Sequence, residues 1–235
     1  MTSRRHAAAH VFVRDLALPV LEDQDAHHLL RVLRIRPGET VTVSNGSGAW
    51  RTCVMSSRSD LEVVDDTLHS EPFPAHPITV VFGVTKNDKP ETVVQKLTEL
   101  GVDHIVPVLL DLSVVRWEDD KIERQHERFV KVSREAAMQS RQIFLPSVHR
   151  VVSGLETLLE SSVMKGQWGR VALADPDGSG DVAAVSALII GSEGGFSQRE
   201  LDLVDARVSL VGGVLRAETA GIAAGVLLAH ARTRS

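Results

Sequence analysis

Three stretches of this chain put polar residues where a strand-like run gives way to a helix-like one. Ile190-Gly191-Ser192-Glu193-Gly194-Gly195-Phe196 follows the apolar run Ala187–Ile190. It precedes Ser197-Gln198-Arg199-Glu200, whose Ser and Glu stand three residues apart as in a capping box. Glycines let backbone amides approach a ligand closely, and a helix N-terminus attracts anions, carboxylates included. The spacing matches neither GxxxxGK[ST] nor GxGxxG, so ATP and NAD binding gain little support. A tight strand-to-helix turn is the plainer alternative. The second stretch is Val211-Gly212-Gly213-Val214-Leu215-Arg216-Ala217-Glu218-Thr219-Ala220. Glu218 in a first helical turn is ordinary complementarity to the helix dipole, whereas Arg216 opposes the dipole's positive end and needs something to hold it there. The third, Phe82 to Pro90, carries Lys86 and Lys89, two of only six lysines, and reads either as a ligand loop or as a solvated one. A fourth feature is basic. Arg128, Lys131 and Arg134 recur every three residues, with Gln139, Arg141 and Arg150 beyond them and Glu135 as the one acid between 128 and 150. That pattern suits a phosphate-gripping helix face or a solvated one.

Other chemistries are disfavoured. The ten histidines are scattered, with no HExxH and no ligand cluster, so no metal is expected. Ser192 lies in GSEGG, which lacks the spacing of a hydrolase nucleophile elbow. The single cysteine, Cys53, excludes a disulfide framework within the chain and sits in a strand-like run, as a core residue would. No apolar run is long enough for a membrane span, and the first ten residues lack the apolar region of a secretory signal, so a cytoplasmic location is expected. Net charge is −5, which argues mildly against a simple nucleic-acid binder. Yet 20 of the 26 cations are arginine, whose planar fork grips phosphate; a GC-rich genome explains that bias equally well.

Two kinds of segment must position these residues. Before residue 70, short alternating runs at His10–Arg14, Thr40–Ser44, Trp50–Ser56 and Leu61–Asp65 predict strands, with a turn at Asn45–Gly48. One helix interrupts them: Ala26, Leu29, Leu30 and Leu33 share a face, Arg31 and Arg34 fall off it, and Pro37-Gly38 ends it. The proline-rich stretch from Glu71 to Pro77 predicts a stiff linker, which places the boundary between domains 1–72 and 73–235. Beyond it, strands at Ile78–Val84, His104–Leu110, Val171–Ala174, Ala187–Ile190 and Val208–Val211 alternate with helices at Lys89–Gly101, Asp119–Ser140, from Ser197, and Ala217–Arg232. Ser113–Trp117 reads as a strand extension or a loop. This alternation implies an α/β fold with a parallel sheet, in which ligands bind beyond the strands' carboxyl ends.

Six blocks in order resemble the bacterial 16S ribosomal RNA uracil-N3 methyltransferases, a family of the knotted SPOUT methyltransferase class. They are His27–Arg34, Val94–Val102, Ser113–Trp117, Glu135–Arg141, Gly191–Phe196 and Leu215–Ala220. Together they span nearly the whole chain. The family usually has Pro where Ser192 stands, Thr where Ala217 stands, and Cys-Gly before the Arg corresponding to Arg141. The resemblance implies a small PUA-like β-barrel followed by a SPOUT-type parallel sheet with a C-terminal trefoil knot, and a homodimer. It implies S-adenosylmethionine in the knot, held by Ile190, Gly191, Gly194, Gly195, Leu210, Gly212, Leu215, Ala217, Thr219 and Ala220. The reaction implied is methylation of N3 of a uridine in 16S ribosomal RNA of the small subunit. Glu193 is then the first choice as general base, with Glu218 the alternate, and Arg216 as oxyanion stabiliser. RNA would be held by Arg31, Arg34, Lys86, Arg116, Arg128, Lys131, Arg134, Gln139 and Arg141. A ribose 2′-hydroxyl methyltransferase of the same class and a non-catalytic ribosome-assembly factor are the rival readings.

Overall fold

Alternation of β-branched and polar residues builds the first sheet, as its period of two requires. A computed structural model describes residues 4–56, 60–64, 66–87, 89–161 and 169–234. Strand β1 (Ala9–Phe12) runs parallel to β2 (Thr40–Ser44), with Val11 beside Val43. β2 pairs antiparallel with β3 (Ala49–Met55) across the Asn45–Gly48 turn, and β4 (Leu61–Val63) and β5 (His69–Ser70) both pair with β3. The first strand therefore ends at Phe12 rather than Arg14; Asp65, expected to end the fourth run, lies outside the described residues. The expected helix forms as α1 (Asp23–His27) followed by a π-helical turn over His28–Val32. The wider turn breaks the 3.6-residue period. Leu29 is buried as predicted, but Leu33 is left exposed.

By internal contacts, Met1–Pro74 and Arg134–Leu145 form one compact unit, and Ala75–Ser133 with Pro146–Ser235 form the other. The sequence reading leaves 134–145 in the larger domain. In the structure Ser44 Oγ donates to the Ile143 carbonyl at 3.1 Å, and Phe144 packs edge-on against Phe73. Arg134 Nη2 lies 2.7 Å from Asp25 Oδ2. Such contacts are invisible to local periodicity because their partners are distant in the chain. The unit's core is Val11, Leu29, Val41, Val43, Cys53 and Met55.

The second unit holds β6 (Thr79–Gly83), β7 (His104–Leu109), β8 (Ser147–Val148), β9 (Val152–Ser153), β10 (Val171–Ala174), β11 (Ala187–Ile190) and β12 (Arg207–Val208). They form one sheet in the order β12-β10-β11-β6-β7-β8, with β9 also on β7, and every pairing is parallel. Ser113–Trp117 is a loop, and the last expected strand is the two-residue β12. The helices are α2 (Lys89–Glu99), α3 (Asp119–Ser140, its last turns in the first unit), α4 (Leu155–Glu160), α5 (Gln198–Leu201) and α6 (Ala217–Arg232). Alternate strand residues face opposite layers. Val80, Phe82 and Ile105 pack with Val93, Leu97, Phe129 and Leu228; Val81, Val106 and Ile189 pack with Leu155 and Leu158. Helices thus cover both faces, as a parallel sheet requires.

Two packing details fix the helices beside the site. α2 ends in a Schellman motif: the Val102 amide donates to the Leu97 carbonyl and the Gly101 amide to that of Thr98, both at 3.0 Å, with Gly101 at φ +74°. α6 buries its small residues against α2. A Cβ at Gly225 would stand 2.7 Å from Leu97 Cδ2, and one at Gly221 3.2 Å from Val93 Cγ1. The small-residue pattern of α6 therefore serves close helix packing within this unit.

Candidate active site

The carboxyl ends of β6, β10 and β11 open into polar loops, and these loops meet. Gly83, the last residue of β6, lies under the glycine turn after β11: a Cβ there would stand 2.5 Å from the Ser192 amide nitrogen. Only a residue without a side chain permits that approach. The turn is closed by the Gly195 amide donating to the Ser192 carbonyl at 2.9 Å, with Gly195 at φ +72°. Ser197 then starts α5 with the predicted capping box: its hydroxyl accepts from the Glu200 amide, and Glu200 accepts from the Ser197 amide. Glu200 is buried and also accepts from the Asp111 amide at 2.9 Å, tying the loop after β7 to the turn.

The loops after β10 and β11, with the one preceding α6 and the start of α2, line a cavity of about 590 Å³. That volume suits a small organic ligand. Of the ten residues assigned to cofactor binding by resemblance, Ile190, Gly191, Gly195, Leu210, Leu215, Ala217 and Ala220 line it. Gly194, Gly212 and Thr219 are not among the lining residues. Gly194 faces Leu112 instead; a Cβ there would come within 2.7 Å of the Leu112 carbonyl. Sequence reasoning missed Asp175 and Pro176 after β10, Phe196 and Leu201 after the glycine turn, and Lys89 as a lining residue. The end of β10 could have pointed to the first two, since it adjoins β11.

Glu193, Arg216 and Glu218 all line the cavity. Glu193 Oε1 accepts from the backbone amide of Lys86 at 3.5 Å and lies 3.9 Å from Lys89 Nζ. Lys89 Nζ is closer to Glu218, 3.3 Å from Oε1 and 3.4 Å from Oε2. The Glu218 carboxyl is held below its ordinary range. Its own backbone N–H at the start of α6 is the main cause, opposed by desolvation and assisted by Lys89 and Arg216. Arg216 is the N-cap of α6; its side chain is exposed and makes no capping bond. The arrangement brings a carboxylate acceptor and a cationic donor to one cavity, which suits moving a proton and stabilising developing negative charge.

The basic residues behave differently from the single face that their spacing predicts. Arg128 Nε pairs with Glu91 at 2.7 Å in the second unit. Arg134 pairs with Asp25 and also donates to the Phe12 carbonyl in the first. Arg141, at φ +60°, donates to the Arg4 carbonyl at 2.9 Å. It fills the left-handed position of a second Schellman motif at the end of α3, where glycine is the usual occupant. Arg116 donates to the carbonyls of Ser113, Val115 and Asp111, bracing its own loop. Lys86, Lys131, Gln139, Arg31 and Arg34 are exposed. Cys53 is fully buried, and burial pushes its thiol up to about 11, as befits a core residue. Among the described residues, no cluster of three His, Cys, Asp or Glu could hold a metal ion, and no helix is long and apolar enough to cross a membrane.

Comparison with known proteins finds similarity over nearly the whole chain. Residues 71–229 match the family described as RNA methyltransferase domain, and residues 21–65 match the RNA methyltransferase PUA domain. The chain is 30% identical over 223 residues to the ribosomal RNA small subunit methyltransferase E of Mycobacterium bovis, covering 88% of this chain and 84% of that one. It is 28% identical over 217 residues to the protein of the same name from Bacillus subtilis, covering 84% of each. The crystal structure of the Neisseria gonorrhoeae ribosomal RNA small subunit methyltransferase E, bound to S-adenosylmethionine, superposes with a TM-score of 0.76 at 23% identity. It covers 92% of this chain and 94% of that one.

Proposed function

Because the chain belongs to the RNA methyltransferase family, we propose that it methylates N3 of a uridine in 16S ribosomal RNA, using S-adenosylmethionine. The observation that carries this reading is the cavity at the carboxyl ends of β10 and β11, lined by both Glu193 and Arg216. The residues present fit the cofactor. Gly195 and Gly213 leave open space where side chains would project, Ile190, Leu210 and Leu215 offer apolar surface, and carboxylates face a ligand that carries positive charge. Held by Ile190, Gly191, Gly195, Leu210 and Leu215, the cofactor would supply an electrophilic methyl group on a sulfonium.

This chain's residues would do the rest. Uracil N3 carries a proton at neutral pH and lies on the Watson–Crick edge, so the base must be unpaired or flipped out. Glu193 accepts the N3 proton. Arg216 donates to a flanking carbonyl oxygen as negative charge spreads onto it. Glu218, already bound to Lys89, is the poorer acceptor of the two. The exposed Arg31, Arg34, Lys86, Lys131 and Gln139 contact RNA directly, whereas Arg116, Arg128, Arg134 and Arg141 must first exchange their present partners. The C-terminal part of the larger unit forms the trefoil knot, and the protein works as a homodimer in the cytoplasm. The exposed Leu112, Val114, Val211 and Val214 offer apolar surface for a second copy.

The test is to incubate the protein with S-adenosylmethionine and small ribosomal subunits lacking base methylation, then identify the methylated nucleoside by mass spectrometry. The expected product is 3-methyluridine. A 2′-O-methyl product overturns the base-deprotonation chemistry, and cofactor binding with no transfer overturns the choice of substrate. Glu193→Gln is expected to lower kcat about a hundredfold. Full turnover with an unchanged pH–rate profile removes Glu193 as the base.

A further inference from the structure

Lys89 sits where a cation is not favoured. It is the first residue of α2, at the positive end of that helix's dipole. What holds it there are two carboxylates, one from the turn after β11 and one from the first turn of α6. Its ammonium lies 3.3 Å from Glu218 at the start of α6 and 3.9 Å from Glu193 in the turn after β11. The three side chains are 35%, 20% and 33% exposed, so the cluster is partly shielded from solvent. One side chain thus connects the start of α2 with the turn after β11 and the start of α6, all of which contribute lining to the cavity.

We propose that Lys89 is a positioning residue for proton removal: it holds Glu218 as a fixed anion and, through its longer contact, aims the Glu193 carboxylate at the substrate. This rests on the methyl-transfer reading above. The two distances divide the work. The shorter contact makes Glu218 a counter-ion, whereas the longer one, together with the Lys86 amide, restrains Glu193 without fully neutralising it. A carboxylate held this way has its direction fixed. Without Lys89, two carboxylates share one cavity wall with no cation between them, and each becomes harder to ionise.

The experiment compares the wild type with Lys89→Met and Lys89→Arg. In the ligand-free protein, carbon-detected NMR titration of the glutamate carboxyls is expected to show Glu218 titrating at higher pH in Lys89→Met and near the wild-type value in Lys89→Arg. In methyl transfer to small subunits, Lys89→Met is expected to lower kcat about tenfold, with the KM for S-adenosylmethionine changed by less than about threefold. The acid limb of its pH–rate profile moves to higher pH, and Lys89→Arg recovers most of the loss. An unmoved Glu218 titration, or an unchanged acid limb with kcat within about twofold of wild type, overturns the proposal. Equal losses in both variants, accompanied by a lower Tm, overturn it in favour of a purely structural role. A wild-type protein that binds the cofactor and modifies no subunit RNA overturns the substrate assigned above instead, and the ligand-free titration still judges the clamp.

Discussion

Ser192 carries a hydroxyl with no hydrogen-bonding partner among the described residues, in a side chain only 6% exposed. A buried polar atom without a partner costs about 1–3 kcal/mol relative to one that is satisfied. Ser192→Ala is therefore expected to raise stability by about 1 kcal/mol, read as a higher urea midpoint at unchanged m-value. A lower midpoint means that the hydroxyl has an energetic role in the turn. Gly83 directly beneath it has the opposite sensitivity. Any side chain there collides with backbone rather than with a flexible side-chain end, so the turn itself must move. Gly83→Ala is expected to weaken cofactor binding at least about tenfold by calorimetry, since the displaced turn forms one wall of the cavity. The residue types at this site were legible in the sequence, because the glycine turn with Glu193 follows a strand end and Arg216 stands just before a helix. Lys89's partnership was not: its contact with Glu218 spans 129 residues of chain.

At the scale of elements, the strongest periodicities translate directly. β2, β10, β11, α3 and α6 begin and end where their residue patterns place them. The elements that the pattern does not reveal are the shortest. β5, β8 and β9 have two residues each, too few for an alternation, and exist because a neighbour pairs with them, as His104 does with Ser147. The six-residue α4 follows the same logic, with Leu155 and Leu158 buried against the sheet. Caps are read more easily, because their chemistry is local. The glycine expected to close α2 does so at φ +74°. Gly101→Ala forces a side chain into that conformation at about 1–2 kcal/mol, and the expected result is a Tm about 2–8 °C lower in a thermal melt. An unchanged Tm means that the helix end re-forms without a left-handed residue.

Across the whole molecule, acid sensitivity should come from two buried histidines, His10 in the first unit, which burial pushes down to about 4, and His149 at the end of the larger sheet opposite the cavity. His149 Nε2 lies 3.5 Å from His104 Nδ1, and burial, with His104 and His126 nearby, pushes His149 down to about 4. Folding therefore keeps this ring neutral where the unfolded chain would protonate it. Its stabilising contribution is complete above about pH 6.5 and is lost as pH falls toward 4. The expected outcome is a Tm that declines from pH 7 to pH 5 and declines less steeply in His149→Asn; equal slopes assign the acid response to other groups. The chain's course between its two units has a different consequence, for how such proteins diversify. Residues 134–145 return to the first unit, so that unit cannot be lifted out as one uninterrupted stretch of gene. A fragment ending at residue 74 would encode Asp25, 6% exposed, without the arginine that neutralises it, and Gly48 without the Phe144 ring that covers it. Recombination by a single cut would separate the first unit's core from the segment that supplies these partners. Exchange of the small unit between relatives demands two inherited segments at once, which favours its descent together with the larger unit over shuffling as a module.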